Sequence, residues 1–375
     1  MGQEPVRIAH IIGKLNVAGV EAVVNNYYRN IDHTKYQFDY FIDADSSCEP
    51  PQELIDMGAR YFVIPPYQKL PQHLSTLIKL FKENKYQIVH SGMNTLAIFS
   101  LCAAWLADVP VRINHNHSTA SKGETTRNIM KYAFRPFAKL FATDYCGCSK
   151  YAGEWLFGRR SMEKGEVTVF NNAIDLNRFR YNPEVREEMQ KELVVEDKFV
   201  IGHVGRFCFQ KNHTFLIDIF EEVYKQNEDA VLILVGIGEL TDEIKQKVHE
   251  KGLDDAVLFL GMRTDVYKIY QAMDVLVLPS HYEGLPVVGV EAQASGLPCV
   301  LSTSMTAETK MTKRTVMVSL EKGAAEWAQI VLDCEKIERT NTSKEIRQVG
   351  FDIAKEGKKL EKFYSQKLGE VNACY

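Results

Sequence analysis

Short runs of branched apolar residues alternate along this chain with longer stretches whose apolar residues recur at helical spacing, and the alternation occurs twice over. The first series of runs falls at 6–12, 37–42, 61–64, 87–90, 111–115 and 143–148, with amphipathic stretches between them at 20–30, 51–57, 71–84, 96–107, 127–141 and 150–156. The second has runs at 199–204, 230–235, 257–260, 275–278, 299–301 and 315–318, with helical patterns at 214–225, 241–251, 265–273, 286–295 and 324–334. Strands that are apolar throughout are buried on both faces, and a helix after each strand is the crossover that parallel pairing requires. The pattern therefore specifies an α/β fold with two doubly wound parallel sheets.

Two sheets also suit the length, since 375 residues exceed what one hydrophobic core usually organises. The expected boundaries are 1–168 for a first Rossmann-like domain, 169–350 for a second and 351–375 for a terminal amphipathic helix. Residues 171–196 are polar and then charged, with Pro183 breaking them, and read as the hinge. A net charge of −4 gives no global attraction to nucleic acid. The eight cysteines are scattered, and the Cys146–Cys148 spacing lacks a second pair to complete a zinc site, so they read as reduced thiols of a cytosolic protein. The N-terminal apolar run is too short for a signal peptide, and no stretch approaches the roughly 20 residues that span a bilayer.

The most informative stretch is 275–302, VLVLPSHYEGLPVVGVEAQASGLPCVLS. A strand leads into a short loop carrying Glu283; Pro286 suits the first turn of a helix, and Gly296 suits its end. Glu283 then stands at the carboxyl end of a strand, where open α/β sheets bind ligands, and Glu291 lies about a turn and a half into the helix. The free N–H groups near Leu285 to Val288 form the positive end of that helix and suit an anion such as a diphosphate.

The spacing of Glu283 and Glu291, with P-S before it, E-G-L-P inside it and E-A-x-A-x-G-x-P after it, resembles the signature of the family 4 retaining glycosyltransferases of the two-domain GT-B fold. The resemblance covers nearly the whole chain and is sharpest from Phe199 to Ser302. It implies two Rossmann-like domains facing each other across a cleft, with the final helix crossing back to the first.

At 199–213, FVIGHVGRFCFQKNH, a strand and a loop containing Gly205 deliver Arg206 and Lys211, which match the family's G-R-x(4)-K. The resemblance makes these cations the holders of the leaving diphosphate, where fixed positive charge stabilises negative charge as it develops. It also places Glu283 on the sugar hydroxyls, Glu291 on the ribose diol, and Gly284, Leu285, Pro286 and Val287 at the donor. VGIGE at 235–239 lacks the third glycine of a dinucleotide loop and reads as a tight turn bordering the nucleotide. GMRTDV at 261–266 would bring its main chain and Arg263 beside the base.

In the first domain, GKLNVAGVE at 13–21 has Ala18 where the family usually has a first glycine, leaving close approach to phosphate mainly to Gly19. VRINHNHS at 111–118 exposes two histidines, and His117 aligns with the family's histidine against the donor sugar. Asn172 in VFNNAID resembles the family's hinge motif. Asp43-Ala-Asp45 has the D-x-D spacing by which another glycosyltransferase fold holds manganese, but it ends a strand in a turn-rich stretch and reads as a turn. Arg127, Lys131, Arg135 and Lys139 recur every four residues on a run rich in apolar side chains, split by Pro136. Such a face suits either anionic lipid headgroups or a solvated cationic exterior.

The resemblance implies transfer of a sugar from a nucleotide diphospho-sugar, expected to be uridine-linked, to a hydroxyl acceptor such as a lipid-linked saccharide, with retention and without a metal or other cofactor. The expected place is the cytoplasm, at the inner face of the cell membrane if the basic face docks there. A sugar-nucleotide epimerase or hydrolase of the same architecture would consume the donor without an acceptor. A non-catalytic nucleotide-sugar-binding subunit would bind and not turn over.

Overall fold

The computed structural model describes residues 4–15, 19–117 and 125–373. Two compact units emerge, one formed by Met1–Ala173 with Asp352–Tyr375 and the other by Ile174–Phe351. Each has its own parallel sheet, as a twice-repeated β-α pattern requires.

In the first unit the strands are β1 (Val6–Gly13), β2 (Tyr36–Asp43), β3 (Arg60–Ile64), β4 (Ile88–Ser91), β5 (Val111–Asn116), β6 (Asp144–Gly147) and β7 (Val167–Val169). They pair in the order β3-β2-β1-β4-β5-β6-β7, so the winding reverses between β1 and β4. One face of the sheet is apolar, with Ala9, Ile11, Phe41 and Val89 packed under Leu77, Phe81 and Leu101. The opposite face carries His10, Phe38, Tyr40, His90 and His115, all buried. The helix Ile353–Asn372 covers that face through Tyr364. The Tyr364 hydroxyl lies 2.7 Å from His90 Nδ1 and 3.2 Å from His10 Nε2, and His90 Nε2 lies 3.0 Å from His115 Nδ1. Glu356 on the same helix accepts from the Asn171 N–H at 3.1 Å and the Tyr27 hydroxyl at 3.3 Å.

In the second unit β8 (Phe199–Val204), β9 (Ala230–Val235), β10 (Val257–Gly261), β11 (Val275–Leu278), β12 (Cys299–Ser302) and β13 (Thr315–Val318) pair in the order β10-β9-β8-β11-β12-β13. Alternate residues of β8 and β9 feed two cores. Phe199, Ile201, Leu232 and Leu234 pack with Trp327 on one face, while Val200, Val231 and Ile233 pack with Tyr270 and Met273 on the other. β8 and β11 are neighbours, with Val275 beside Ile201, and the winding reverses between them.

The structure corrects the reading of Pro183 as a break within residues 171–196. Pro183 starts a helix, Pro183–Leu193, because the Asn182 side chain accepts from the Glu184 and Val185 N–H groups and the missing proline N–H is not needed at that position. The sequence patterns also passed over the three-residue β7 and the short helices Arg159–Glu163, Leu176–Phe179 and Ser343–Gln348, each too brief to show a period. The amphipathic run from 127 resolves into a helix, Thr125–Phe134, and a separate turn, Arg135–Phe137, divided at Pro136.

Burial lowers the pKa of His10 to about 3 and holds His90 and His115 well below the ordinary histidine range. These rings are neutral in the native state and take up protons on unfolding, so stability is full above the unfolded pKa near 6.5 and falls as pH drops below it. Each buried ring contributes about 1.4 kcal/mol per pH unit. Denaturant unfolding of the whole chain at pH 7.5 and 5.5 should show a loss of several kcal/mol; equal midpoints at the two pH values would contradict neutral burial.

Candidate active site

The switch point of the second unit brings two loops together. The loop after β8 carries Gly205, Arg206 and Lys211, and the loop after β11 carries Glu283. Lys211 Nζ lies 2.6 Å from Glu283 Oε1, with the two side chains only 14% and 9% exposed. Gly205 makes this possible: a Cβ there would lie 3.0 Å from Lys211 Cε and 3.2 Å from its Cδ, so the lysine stem crosses where a side chain would stand. Ser280 Oγ, fully buried, donates to Glu283 Oε1 at 3.4 Å.

Arg206 stands apart from that pair. Its Nε donates to Glu239 Oε2 at 3.1 Å, and the two side chains are 64% and 55% exposed. An ion pair so open to water contributes no more than about 1 kcal/mol, so the guanidinium can exchange this carboxylate for an incoming diphosphate at little cost. The lysine is fixed and the arginine is free to swing. The VGIGE turn runs against the same loop, with the Phe207 N–H donating to Ile237 O at 3.1 Å and the Leu240 N–H to Phe207 O at 3.1 Å.

The helix Val287–Ala294 begins after Pro286, and its first N–H groups have no acceptor within the helix. The side chains of Leu285 and Val287 are taken up by a core of Leu176, Val290, Ile346 and Phe351. Gly284 is half-buried beside them. On this helix Glu291 accepts from the Tyr270 hydroxyl at 3.0 Å. Burial pushes the Glu291 pKa up to about 7, partly offset by that hydrogen bond. The buried side of the helix is tied down by Gln293. Its amide nitrogen donates to Gly289 O at 2.9 Å and Thr309 O at 2.8 Å; its oxygen accepts from the Met311 and Thr312 N–H groups at 2.9 and 3.1 Å and from the Thr315 hydroxyl at 2.7 Å. Arg263, in the loop after β10, is occupied by Asp265 at 2.7 and 2.8 Å and by Glu192 at 3.1 Å.

In the first unit Gly19 precedes the helix Val20–Arg29 with φ 77°, a conformation that favours glycine. Ala18 lies outside the described residues, as does the side chain of Arg127. His117 follows β5, packs against His115 with ring centroids 4.0 Å apart and planes tilted by 31°, and has its pKa lowered to about 4 by burial. It borders a cavity of about 20 Å³ among His10, His90, His115 and Phe170, room for a single water. Asp45 pairs with Lys14 at 2.5 Å, and among the described residues no group of three histidine, cysteine or acidic side chains is arranged to hold a metal ion.

Tyr270, Glu239 and Gln293 were not singled out from the sequence. Glu239 stood in a motif read as a tight turn bordering the nucleotide, with no role given to its side chain, and Tyr270 lies 21 residues before its partner Glu291, a separation with no local pattern. Gln293 was visible inside the E-A-x-A segment, but only the loop at 309–315 reveals what it binds.

Comparisons with known proteins identify the family and the fold. Residues 184–344 match the family model for glycosyl transferases group 1, and residues 17–178 match that for Glycosyltransferase Family 4. EpsF of Bacillus subtilis (strain 168), which carries a glycosyltransferase name, is 34% identical over 362 residues, covering 94% of each chain. The UDP-Gal:alpha-D-GlcNAc-diphosphoundecaprenol alpha-1,3-galactosyltransferase of Escherichia coli is 30% identical over 312 residues, covering 79% of each. Among solved structures, Anabaena Alr3699/HepE in complex with UDP and glucose superposes with a TM-score of 0.79 at 20% identity, covering 96% of this chain and 99% of that one. The lipopolysaccharide glycosyltransferase WaaG gives 0.73 at 12% identity, covering 94% and 98%. With two parallel-sheet units of the GT-B type and family models matched along both, the chain belongs to the family 4, group 1 glycosyltransferases.

Proposed function

We propose that this glycosyltransferase moves a sugar from a UDP-sugar to a hydroxyl of a lipid-linked saccharide during polysaccharide synthesis, with retention of configuration and without a divalent ion. The observation that carries the reading is the Lys211–Glu283 pair at 2.6 Å, held at the switch point beside a helix N-terminus. The E. coli relative, whose name specifies UDP-galactose and a diphosphoundecaprenol acceptor, supports the choice of donor and acceptor class.

In this reading the bond between the sugar C1 and the diphosphate oxygen breaks, and its electron pair leaves with UDP. The acceptor oxygen bonds to C1 on the same face, and its proton passes to the departing phosphate oxygen. Lys211 and Arg206 stabilise the charge that grows on the diphosphate, supplying what a metal ion supplies in other transferases. Glu283 accepts from the sugar's hydroxyls and Glu291 from the ribose diol. Because Lys211 is already held in place, little ordering remains to be done when the donor arrives.

The Thr125–Phe134 helix and the turn after it suit the membrane side of this reaction. Ile129, Tyr132, Phe137 and Leu140 are 64%, 55%, 50% and 62% exposed, with Lys131, Arg135 and Lys139 among them. Apolar side chains interleaved with cations fit the interface of an anionic bilayer. Arg135 lies over the Trp155 ring at 5.4 Å, and Lys139 pairs with Glu166 at 3.2 Å. No helix among the described residues is long and apolar enough to cross a membrane.

Thermal shift with a panel of nucleotide sugars and a chelator present should single out a UDP-sugar as the stabilising ligand. With that donor, Glu283→Gln and Lys211→Ala should each lower kcat/KM by about 10²–10³-fold while circular dichroism stays native; near-normal rates in either variant would remove the assigned role. Donor consumption without an acceptor would indicate a hydrolase or epimerase instead.

An ionised Glu291 accepts from both hydroxyls of a diol, whereas protonation leaves one oxygen a donor, and burial that raises the pKa to about 7 places the change near neutrality. The Kd for UDP-galactose, whose diphosphate does not titrate near pH 7, should therefore rise about tenfold as pH falls from 8 to 6. Glu291→Gln should flatten that dependence, and a flat wild-type profile would count against the ribose role. Flotation with anionic liposomes should retain the wild-type protein and lose Lys131→Glu/Arg135→Glu; equal flotation of both would rule out docking by this face.

A further inference from the structure

The loops that bear Lys211 and Glu283 have little regular structure of their own. The first is a single turn, Phe209–Lys211, closed by Asn212 at φ 57°, and the second has no helix or strand between Pro279 and Leu285. An ion pair alone does not order two such segments, because holding side chains in one geometry costs conformational entropy. Three further contacts join them. The Asn212 side-chain amide donates to Pro279 O at 3.0 Å, and the His281 N–H donates to Gln210 O at 2.9 Å. The third is aromatic: the Phe209 ring stacks on His281, with centroids 4.4 Å apart and planes 20° apart.

Phe209 is 59% exposed, so core packing does not explain its place. Its ring contact is with His281, two residues before Glu283, while Phe209 itself stands two residues before Lys211. The stack therefore bridges the two loops two residues in sequence before each of the two charged groups. Aromatic pairs of this geometry contribute about 0.5–1.5 kcal/mol beyond the area they bury.

We propose that Phe209 and His281 are positioning residues, a stacked clasp that fixes the Lys211 loop against the Glu283 loop so that the ammonium meets the departing diphosphate while the carboxylate holds the sugar. The proposal rests on the transfer role assigned above to Lys211 and Glu283. Because Lys211 acts on charge that grows during bond breaking, loosening the clasp lowers kcat more than it weakens donor binding.

The test uses the full chain with Phe209→Ala, Phe209→Tyr, His281→Ala and the Phe209→Ala/His281→Ala double variant. Hydrogen exchange followed by mass spectrometry should show peptides covering 206–212 and 279–285 exchanging at least about tenfold faster in Phe209→Ala, with the sheet of the second unit unchanged. Steady-state kinetics with the UDP-sugar found by thermal shift should show kcat about 5–50-fold lower in Phe209→Ala, with donor KM within about threefold. Phe209→Tyr, which keeps the ring, should stay within about threefold of wild type. His281→Ala should match Phe209→Ala, and the double variant should be no worse than either single one, as expected of groups that act as a unit. Wild-type exchange rates in both loops of Phe209→Ala, a wild-type kcat, or multiplied losses in the double variant would each overturn the clasp. If the wild-type protein transfers no sugar while the loops still loosen in Phe209→Ala, the clasp stands and the transfer reading is what fails.

Discussion

A lysine and a glutamate from neighbouring strands, 2.6 Å apart and nearly closed to solvent, are the contact on which the second unit's site depends. Burying two charges costs several kcal/mol per ion unless geometry and further hydrogen bonds compensate. The compensation is visible in the surroundings. Gly205 clears a path for the lysine stem, and Ser280 gives Glu283 a second partner. The sheet supplies the rest, since the reversal of winding between β8 and β11 is what makes the two loops adjacent at all.

Around that fixed pair the remaining charges are held more loosely, and the difference has a chemical sense. Arg206 rests on an exposed glutamate that a diphosphate can displace. Burial raises the Glu291 pKa to about 7, so in the proposed reading binding of a diol would also set its protonation state. In the proposed reading, one rigid cation, one exchangeable cation and one titratable acid would let the site bind an anionic donor and still release a more highly charged product.

Much of this was legible in the residues. The strands at 199–204, 230–235, 275–278 and 315–318 coincide with the observed ones because parallel strands buried on both faces are continuous apolar runs bounded by turns. The pairing of Lys211 with Glu283 is another matter. The two lie 72 positions apart, and only the order of strands in the sheet turns that separation into contact. Arg206 illustrates the limit from the other side: its motif was plain, but nothing local showed that its resting partner is Glu239. Within 171–196 Pro183 was misread as an interruption, when the Asn-Pro-Glu order around it is the start signal of a helix.

The amide of Gln293 has a consequence for how this site can vary. One end of the group must donate, to Gly289 and Thr309, and the other must accept, from Met311, Thr312 and Thr315. A carboxylate of the same shape would set negative charge against two carbonyl oxygens, and an aliphatic side chain would strand all five partners at once. The helix that presents Glu291 is thus keyed by a polarity only a carboxamide of that length provides, so position 293 is closed to exchange while the loops around the helix are open to it.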